Sequence, residues 1–146
     1  MYLCTAMEVT EQIIEQKFRE YNEEYFNSEL PLPRFGLLKS YTTCGYFSCN
    51  KIVGRRRLRG QRLDISVYYD WEEEALKNVI IHEMIHYFLA HKHIDNGLTH
   101  GDAFKEMSGK FNREHSLNIS EKVDCRGFRK TKNAPRISWF FTQIFY

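Results

Sequence analysis

Residues 80–89 read Ile80-Ile81-His82-Glu83-Met84-Ile85-His86-Tyr87-Phe88-Leu89, a stretch with two histidines four positions apart. On a helix, side chains at that spacing share one face, so His82 and His86 can direct their ring nitrogens at one metal ion. Glu83 follows about 100° further round the helix, close enough to reach a metal-bound water without being a ligand. The pattern predicts a catalytic zinc centre of the kind used for peptide hydrolysis.

A five-residue pattern also occurs in ordinary helices, whose histidines are core or surface residues. The residues around this one are strongly apolar: Val79, Ile80, Ile81, Met84, Ile85, Phe88 and Leu89. A helix of this composition is buried, and buried polar side chains cost free energy unless a partner satisfies them. Because a metal ion satisfies both imidazoles, the context favours the metal centre over the ordinary helix.

A catalytic zinc needs a third protein ligand and one position open to water. The astacin-like arrangement would put glycine three residues after His86 and histidine six after, but Leu89 and Lys92 occupy those positions. That class is therefore excluded. His91 and His93 lie too near in sequence to return to the same ion if the helix runs through them, and we interpret them as surface or capping histidines.

Two later residues are candidates for the third ligand. The run Asp95-Asn96-Gly97 predicts a turn, after which Gly101-Asp102 opens a second helix. A loop of this length can return His100 to the first helix. Glu106 is the alternative ligand, although it lies one turn into the second helix, where it can equally be a solvated residue.

Two motifs together resemble a known family. The stretch His82-Glu83-Met84-Ile85-His86, followed after a loop by Thr99-His100-Gly101-Asp102-Ala103-Phe104, is similar to the SprT-like metallopeptidase domain of the bacterial SprT and eukaryotic Spartan group. That family pairs its first motif with a later His-Gly-x-x-Phe motif whose histidine is the third zinc ligand, which singles out His100 over Glu106. Upstream, residues 44–47 and 63–66 resemble the family's strand motifs. The resemblance covers roughly residues 8–118.

The resemblance implies a zinc-dependent endopeptidase with one catalytic Zn²⁺ held by His82, His86 and His100. Glu83 would take a proton from the zinc-bound water as it attacks a peptide carbonyl, and return it to the departing amine. An exposed edge strand near the metal can pair with an extended protein or peptide substrate. By resemblance, Tyr46 and Phe47 are assigned to that strand, although both can equally serve only to pack the sheet.

The cysteines mark a departure from many members of the family, which carry a zinc ribbon with paired Cys-x-x-Cys motifs after the catalytic domain. The four cysteines here are Cys4, Cys44, Cys49 and Cys125, and none of them forms a Cys-x-x-Cys pair. A second, structural zinc site is therefore not expected. Scattered thiols and the lack of an export signal indicate reduced cysteines in a cytoplasmic protein.

The order of elements predicts an α+β, zincin-like fold with a three-stranded, mainly antiparallel sheet. The N-terminal helix is capped by Thr10 and the metal helix by Asp70. The expected helices are 9–26, 71–91 and 102–114, and the expected strands are 35–41, 45–53 and 62–69. At 146 residues the chain allows one metallopeptidase domain, assigned to 1–120, and a basic and aromatic tail, 121–146, which packs on the domain or meets a partner.

Charge is nearly balanced, with a net value of +2, but it is unevenly placed. One basic cluster lies in the expected hairpin before the last strand: Arg55, Arg56, Arg57, Arg59 and Arg62. Such a loop can track a phosphate backbone, and aromatic residues of the tail can stack on bases. Charged hairpins are also often only solvated. DNA is therefore an additional candidate partner, and a zinc-containing nucleic-acid-binding domain with little or no proteolysis is the alternative function. No segment has the roughly 20 apolar residues that cross a bilayer.

Overall fold

The computed structural model describes residues 7–51, 58–94, 100–123 and 131. These residues form three helices and three strands, which confirms the predicted α+β class and the order of its elements. In chain order the elements are α1 (Glu11–Phe26), β1 (Arg34–Leu38), β2 (Gly45–Lys51), β3 (Leu58–Ser66), α2 (Glu73–His91) and α3 (Asp102–His115).

The sheet has the strand order β1-β3-β2 and is mixed. The predicted antiparallel pairing holds for β2 and β3, where Phe47 lies opposite Leu63. It is wrong for β1, which pairs with β3 in parallel and sets Phe35 opposite Leu63 on the other side. Since β2 and β3 are consecutive and antiparallel, β2 covers one edge of β3 and β1 takes the other. In this three-stranded sheet β2 is consequently an edge strand.

Helix α1 begins where its sequence predicted a cap. The hydroxyl of Thr10 accepts a hydrogen bond from the backbone N–H of Ile13 at 3.2 Å, which satisfies one of the free donors at the helix start. The buried face consists of Ile14, Phe18, Tyr21 and Phe26. This face anchors the sheet, since the ring of Phe18 meets that of Phe35 on β1 edge to face at 5.5 Å.

The start of α2 differs from the prediction. Asp70 is not its cap, because the helix begins at Glu73 and Glu72 holds the cap position without a side-chain hydrogen bond. The backbone of Trp71 is instead engaged by Met7, which it meets through two hydrogen bonds of 3.0 and 3.1 Å. The indole of Trp71 also donates to the carbonyl of Ser66 at 2.8 Å. These tertiary bonds hold the chain extended and delay the helix by two residues.

Helix α2 runs through the centre of the molecule, as its apolar composition predicted. The residues buried along it are Leu76, Val79, Ile80, Ile81, His82, Glu83, Met84, Ile85, His86, Tyr87, Leu89 and Ala90. The ring of Tyr87 stacks on Phe47 of β2 at 4.8 Å, which ties the helix to the edge strand. In the part of the chain that the structure describes, no helix combines the length and apolarity needed to span a membrane.

Candidate metal centre

Three histidine side chains converge on one point. His82 and His86 come from successive turns of α2, and His100 from the residues just before α3. The Nε2 atom of His100 lies 3.1 Å from that of His82 and 3.0 Å from that of His86. One ligand nitrogen of each ring lies within 4.8 Å of the others, so the three form a group that can hold a metal ion.

The protonation of His82 suits a metal ligand. Its Nδ1 lies 2.7 Å from the backbone carbonyl of Ser120. A carbonyl only accepts hydrogen bonds, so we assign the ring proton to Nδ1, which leaves the Nε2 lone pair facing the other two histidines. Metal-bound histidines are usually oriented by this kind of second hydrogen bond.

The spacing of the nitrogens also fits a metal ion. With zinc–nitrogen bonds of about 2.0–2.1 Å, tetrahedral geometry separates ligand nitrogens by roughly 3.3 Å, close to the distances observed to His100. Burial, followed by repulsion from His86, lowers the pKa of His82 to about 3, against the opposing effect of the hydrogen bond to Ser120. A neutral, buried imidazole keeps its lone pair available to a cation.

Phe104 supports all three imidazoles. Its ring is fully buried and its centroid lies 4.7 Å from His82, 4.6 Å from His86 and 4.9 Å from His100. Because Phe104 stands in the first turn of α3, it packs this helix against α2 and fixes the approach of His100. The final position of the His-Gly-x-x-Phe motif is thus explained by packing against the metal-binding rings.

Glu83 lies beside the histidines with its carboxylate directed toward β2. One oxygen, Oε2, accepts a hydrogen bond from the backbone N–H of Phe47 at 3.0 Å, and Oε1 lies 3.8 Å from Nε2 of His82. Burial raises the pKa of Glu83 to about 7, and the Phe47 hydrogen bond partly opposes the rise. A carboxyl group with a pKa near neutrality is suited to take up and return a proton.

A glycine allows β2 to approach this helix closely. A Cβ atom at Gly45 would lie 2.8 Å from Cγ1 of Val79, 3.1 Å from Ile65 and 3.4 Å from Cγ of Glu83. Two of those contacts are tighter than ordinary van der Waals packing. The absence of a side chain at Gly45 therefore sets the short distance between Glu83 and the Phe47 amide.

The site opens into a cleft of about 390 Å³. Its lining is made by Thr42, Thr43, Cys44, Gly45, Tyr46, Phe47, His82, Glu83, His86, His100, Glu121, Lys122 and Val123. Within the lining, the side chain of Tyr46 is 56% exposed, whereas Phe47 is buried against Tyr87. The two residues predicted for a substrate strand thus lie at the cleft, with Tyr46 facing solvent and Phe47 in the core.

The other candidate ligands lie outside the histidine group. His91 is the last residue of α2, His93 follows it with a φ of 55°, and Glu106 is exposed on α3. Cys44 is buried and Cys49 is partly buried, and neither belongs to the histidine group. Cys4 and Cys125 fall outside the described residues, as does the tail from 132 onward.

The predicted basic hairpin is described only in part, since Arg55, Arg56 and Arg57 lie outside the described residues. Arg59 is exposed on β3. Arg62 is half exposed, and its Nε donates to both carboxylate oxygens of Asp64, at 2.9 and 3.0 Å. The charge of Arg62 is thus already balanced within the protein.

Sequence reasoning missed the roles of three residues in this site. Ser120 acts through its backbone carbonyl, which any amino acid would supply, so the sequence contains no signal for it. Gly45 and Phe104 belong to the quoted motifs, but only the folded structure shows what each contacts.

Comparison with known families adds one finding. Residues 14–124 match the sequence model of the SprT-like family, which is three quarters of the chain and includes all three histidines and Glu83. A search of curated proteins found no match.

Proposed function

The chain belongs to the SprT-like family, and on this basis we propose that it is a zinc-dependent endopeptidase. The observation that carries the proposal is the convergence of His82, His86 and His100 beside the carboxylate of Glu83. A carboxylate that lies beside the ligands and lines the cleft can serve as a proton acceptor, which favours catalysis over a purely structural metal site. Family membership makes a metallopeptidase-type hydrolase the natural class for this arrangement.

In this proposal the three imidazoles hold one zinc ion through their Nε2 atoms. When bound, zinc supplies a Lewis acid that polarises a peptide carbonyl and acidifies water. The protein contributes orientation: the Ser120 carbonyl fixes the tautomer of His82, and Phe104 packs against all three rings. Histidine nitrogens in a set of three leave room for water and substrate at the metal.

Glu83 is the proposed general base and, later in the reaction, the general acid. It accepts a proton from the attacking water and passes it to the nitrogen of the departing amine. The Phe47 amide anchors Oε2, so Oε1 remains directed toward the histidines. Burial raises the pKa of this carboxyl in the metal-free protein.

The edge position of β2 supports binding of an extended substrate. This strand pairs only with β3 in the described sheet, and residues 45–47 line the cleft beside the histidines. Backbone pairing with a free strand edge holds a peptide without demanding particular side chains. We therefore expect cleavage of flexible protein segments with broad sequence tolerance, with Tyr46 in contact with the bound chain.

The proposal is tested by comparing the zinc-loaded wild type with Glu83→Gln on an unstructured protein substrate. Glutamine keeps the size of the side chain and an acceptor for the Phe47 amide, but it cannot take up a proton. We expect normal zinc content and a loss of cleavage of at least about 100-fold, as is typical when a proton-transfer group is removed. Equal cleavage by the two proteins would refute the role of Glu83.

A finer version of the proposal places the substrates among DNA-associated or DNA-crosslinked proteins, with single-stranded DNA as a cofactor of cleavage. The support is the exposed Arg59 and the cluster of arginines around it in the sequence. The same assay with a DNA-binding protein and added single-stranded DNA tests it. Stimulation by DNA is the expected result, and equal rates with and without DNA would leave a peptidase with no nucleic-acid role.

The alternative function, a nucleic-acid-binding domain with little or no proteolysis, predicts the opposite pattern of mutational effects. Nucleic-acid binding would persist in Glu83→Gln and fail when the arginines of residues 55–62 are replaced together. Bound zinc without cleavage of any flexible substrate would favour this alternative.

A further inference from the structure

The residues that follow α3 connect the helix end to the metal centre. We call residues 117–123 the strap. Leu117 and Ile119 anchor it in the core, at 7% and 5% exposure. The carbonyl of Ser120 accepts a hydrogen bond from Nδ1 of His82, and residues 121–123 line the cleft. The orientation of a candidate metal ligand on α2 thus depends on where the strap lies.

One side chain holds the strap next to Ser120. The amide of Asn112, on α3, makes two hydrogen bonds to the backbone of Ile119: its Nδ2 donates to the carbonyl at 2.9 Å, and its Oδ1 accepts from the N–H at 2.8 Å. Both distances are in the range of strong hydrogen bonds. Because the two bonds engage both polar groups of Ile119, they fix the position and the rotation of its backbone.

The clamp spans the end of α3. Helix α3 ends at His115, and its C-cap residue, Ser116, has a left-handed φ of 53°, so the chain reverses direction there. Asn112 lies one turn before that reversal and reaches across it to Ile119. The strap has other ties, such as the hydrogen bond from the N–H of Asn118 to Asn78 at 3.2 Å, but the Asn112 clamp holds the residue directly before Ser120.

We infer that Asn112 is a positioning residue for the metal centre. It fixes Ile119, and through it the Ser120 carbonyl, which keeps His82 in the tautomer and orientation that direct Nε2 at the other two imidazoles. This inference rests on the proposed zinc function. Hydrogen-bond partners of metal-bound histidines typically account for about 10–100-fold in metal affinity. Asn112 does not contact the His82 ring but holds the residue before Ser120. Its replacement should therefore lower metal affinity by an amount at the lower end of that range.

A purely structural role is the competing explanation, and the molecule contains a matched control for it. Asn22 on α1 clamps Leu30 in the same way: its Nδ2 donates to the Leu30 carbonyl at 2.8 Å, and its Oδ1 accepts from the Leu30 N–H at 3.2 Å. That helix also ends in a left-handed residue, Asn27. Neither Asn22 nor Leu30 lines the metal cleft. The two clamps share this hydrogen-bond pattern but differ in what they support.

The test compares Asn112→Ala with Asn22→Ala. Both lose two backbone hydrogen bonds, so both should lower the thermal midpoint by a few degrees. Only Asn112→Ala should weaken zinc binding, by about 10-fold in competition with a chromophoric chelator. Equal zinc affinities for the Asn112 and Asn22 variants would overturn the inference.

A measurement on metal-free protein separates this inference from the proposed function. In nitrogen-15 spectra, the hydrogen-bonded Nδ1–H of His82 should be protected in the wild type and in Asn22→Ala, and lost in Asn112→Ala. Wild-type protein that shows this signal but binds no zinc would refute the proposed function alone. A signal unchanged in Asn112→Ala would refute the inference alone. If that variant does not fold, Asn112→Asp, which keeps only the acceptor for the Ile119 N–H, takes its place.

Discussion

The cleft and the arginine-bearing end of β3 are both rich in polar side chains, but they are built in opposite ways. In the cleft, His82, Glu83 and His86 are 3–7% exposed, and each is held by contacts from another element. On β3, Arg59 is exposed. Arg62 is half exposed and forms an ion pair with Asp64. Burial with fixed partners makes His82, Glu83 and His86 sensitive to substitution, whereas solvent screens the arginines. Substitutions should therefore have large chemical effects in the cleft and small ones on β3.

The largest effect of a substitution in the cleft is expected for His100→Ala, and the quantity affected is the affinity for zinc. Removing one of three ligands should lower zinc affinity by more than about 100-fold, beyond what outer hydrogen-bond partners cost. The control is His93→Asn, since His93 lies outside the histidine group and asparagine tolerates its positive φ. Chelator competition measures both variants. Similar zinc affinities in the two variants would show that His100 is not a ligand.

The second contrast concerns pH in the metal-free protein. The Glu83 pKa is raised in the folded state from about 4.5 to about 7, so folding is favoured by this group below pH 4.5 and the contribution is lost as pH rises through 7. Glutamine has no such charge to bury. The stability of Glu83→Gln relative to wild type should therefore rise between pH 4.5 and 8, by up to about 3 kcal/mol at about 1.36 kcal/mol per pKa unit.

Denaturant titrations of both metal-free proteins across that pH range provide the measurement. A difference that does not vary with pH would mean that the Glu83 carboxylate is well solvated, contrary to its burial.

The third contrast tests the approach of β2 to α2. In Gly45→Ala the new Cβ would press on Val79 and Ile65, and we expect a loss of about 1–3 kcal/mol, as for other overpacked cores. Cleavage should fall as well, because the displaced strand carries the Phe47 amide away from Glu83. Gly109→Ala is the control: its Cβ would meet only the flexible end of Arg113, and alanine favours a helix over glycine. Wild-type stability in Gly45→Ala would contradict the close packing.

The smallest chemical effect is expected on β3. Arg62→Ala leaves the nearly buried carboxylate of Asp64 without its guanidinium partner, which should cost about 1–3 kcal/mol of stability. Zinc affinity and cleavage of a peptide should change by less than about twofold. Arg59→Ala, at an exposed position, should change stability by less than about 0.5 kcal/mol. A large loss of peptide cleavage in either variant would contradict the expectation that substitutions on β3 leave the chemistry of the cleft unchanged.

The parts of the site that follow from local periodicity could be predicted from the sequence. The four-residue spacing on an apolar helix placed His82 and His86 on one face, and Glu83 beside them. His100 required the family resemblance, because a loop alone does not say where its end returns. The Ser120 carbonyl could not be predicted, since a backbone group carries no mark in the sequence and its position depends on the strap.

In the fold, too, features set by local interactions could be predicted, whereas features set by distant contacts could not. Thr10 capped its helix as predicted, because a cap is a local interaction. The predicted cap at Asp70 was wrong because Met7, more than sixty residues away in sequence, holds Trp71 in an extended conformation. The parallel pairing of β1 was also missed, since strand patterns show that a strand exists and not which neighbour it takes.

The central claim is that three histidines form one zinc site next to Glu83, and anomalous diffraction at the zinc edge from crystals of the zinc-loaded protein tests it most directly. The account predicts a single strong peak within about 2.0–2.1 Å of the Nε2 atoms of His82, His86 and His100. A peak coordinated by other residues, or none at full zinc loading, would contradict it.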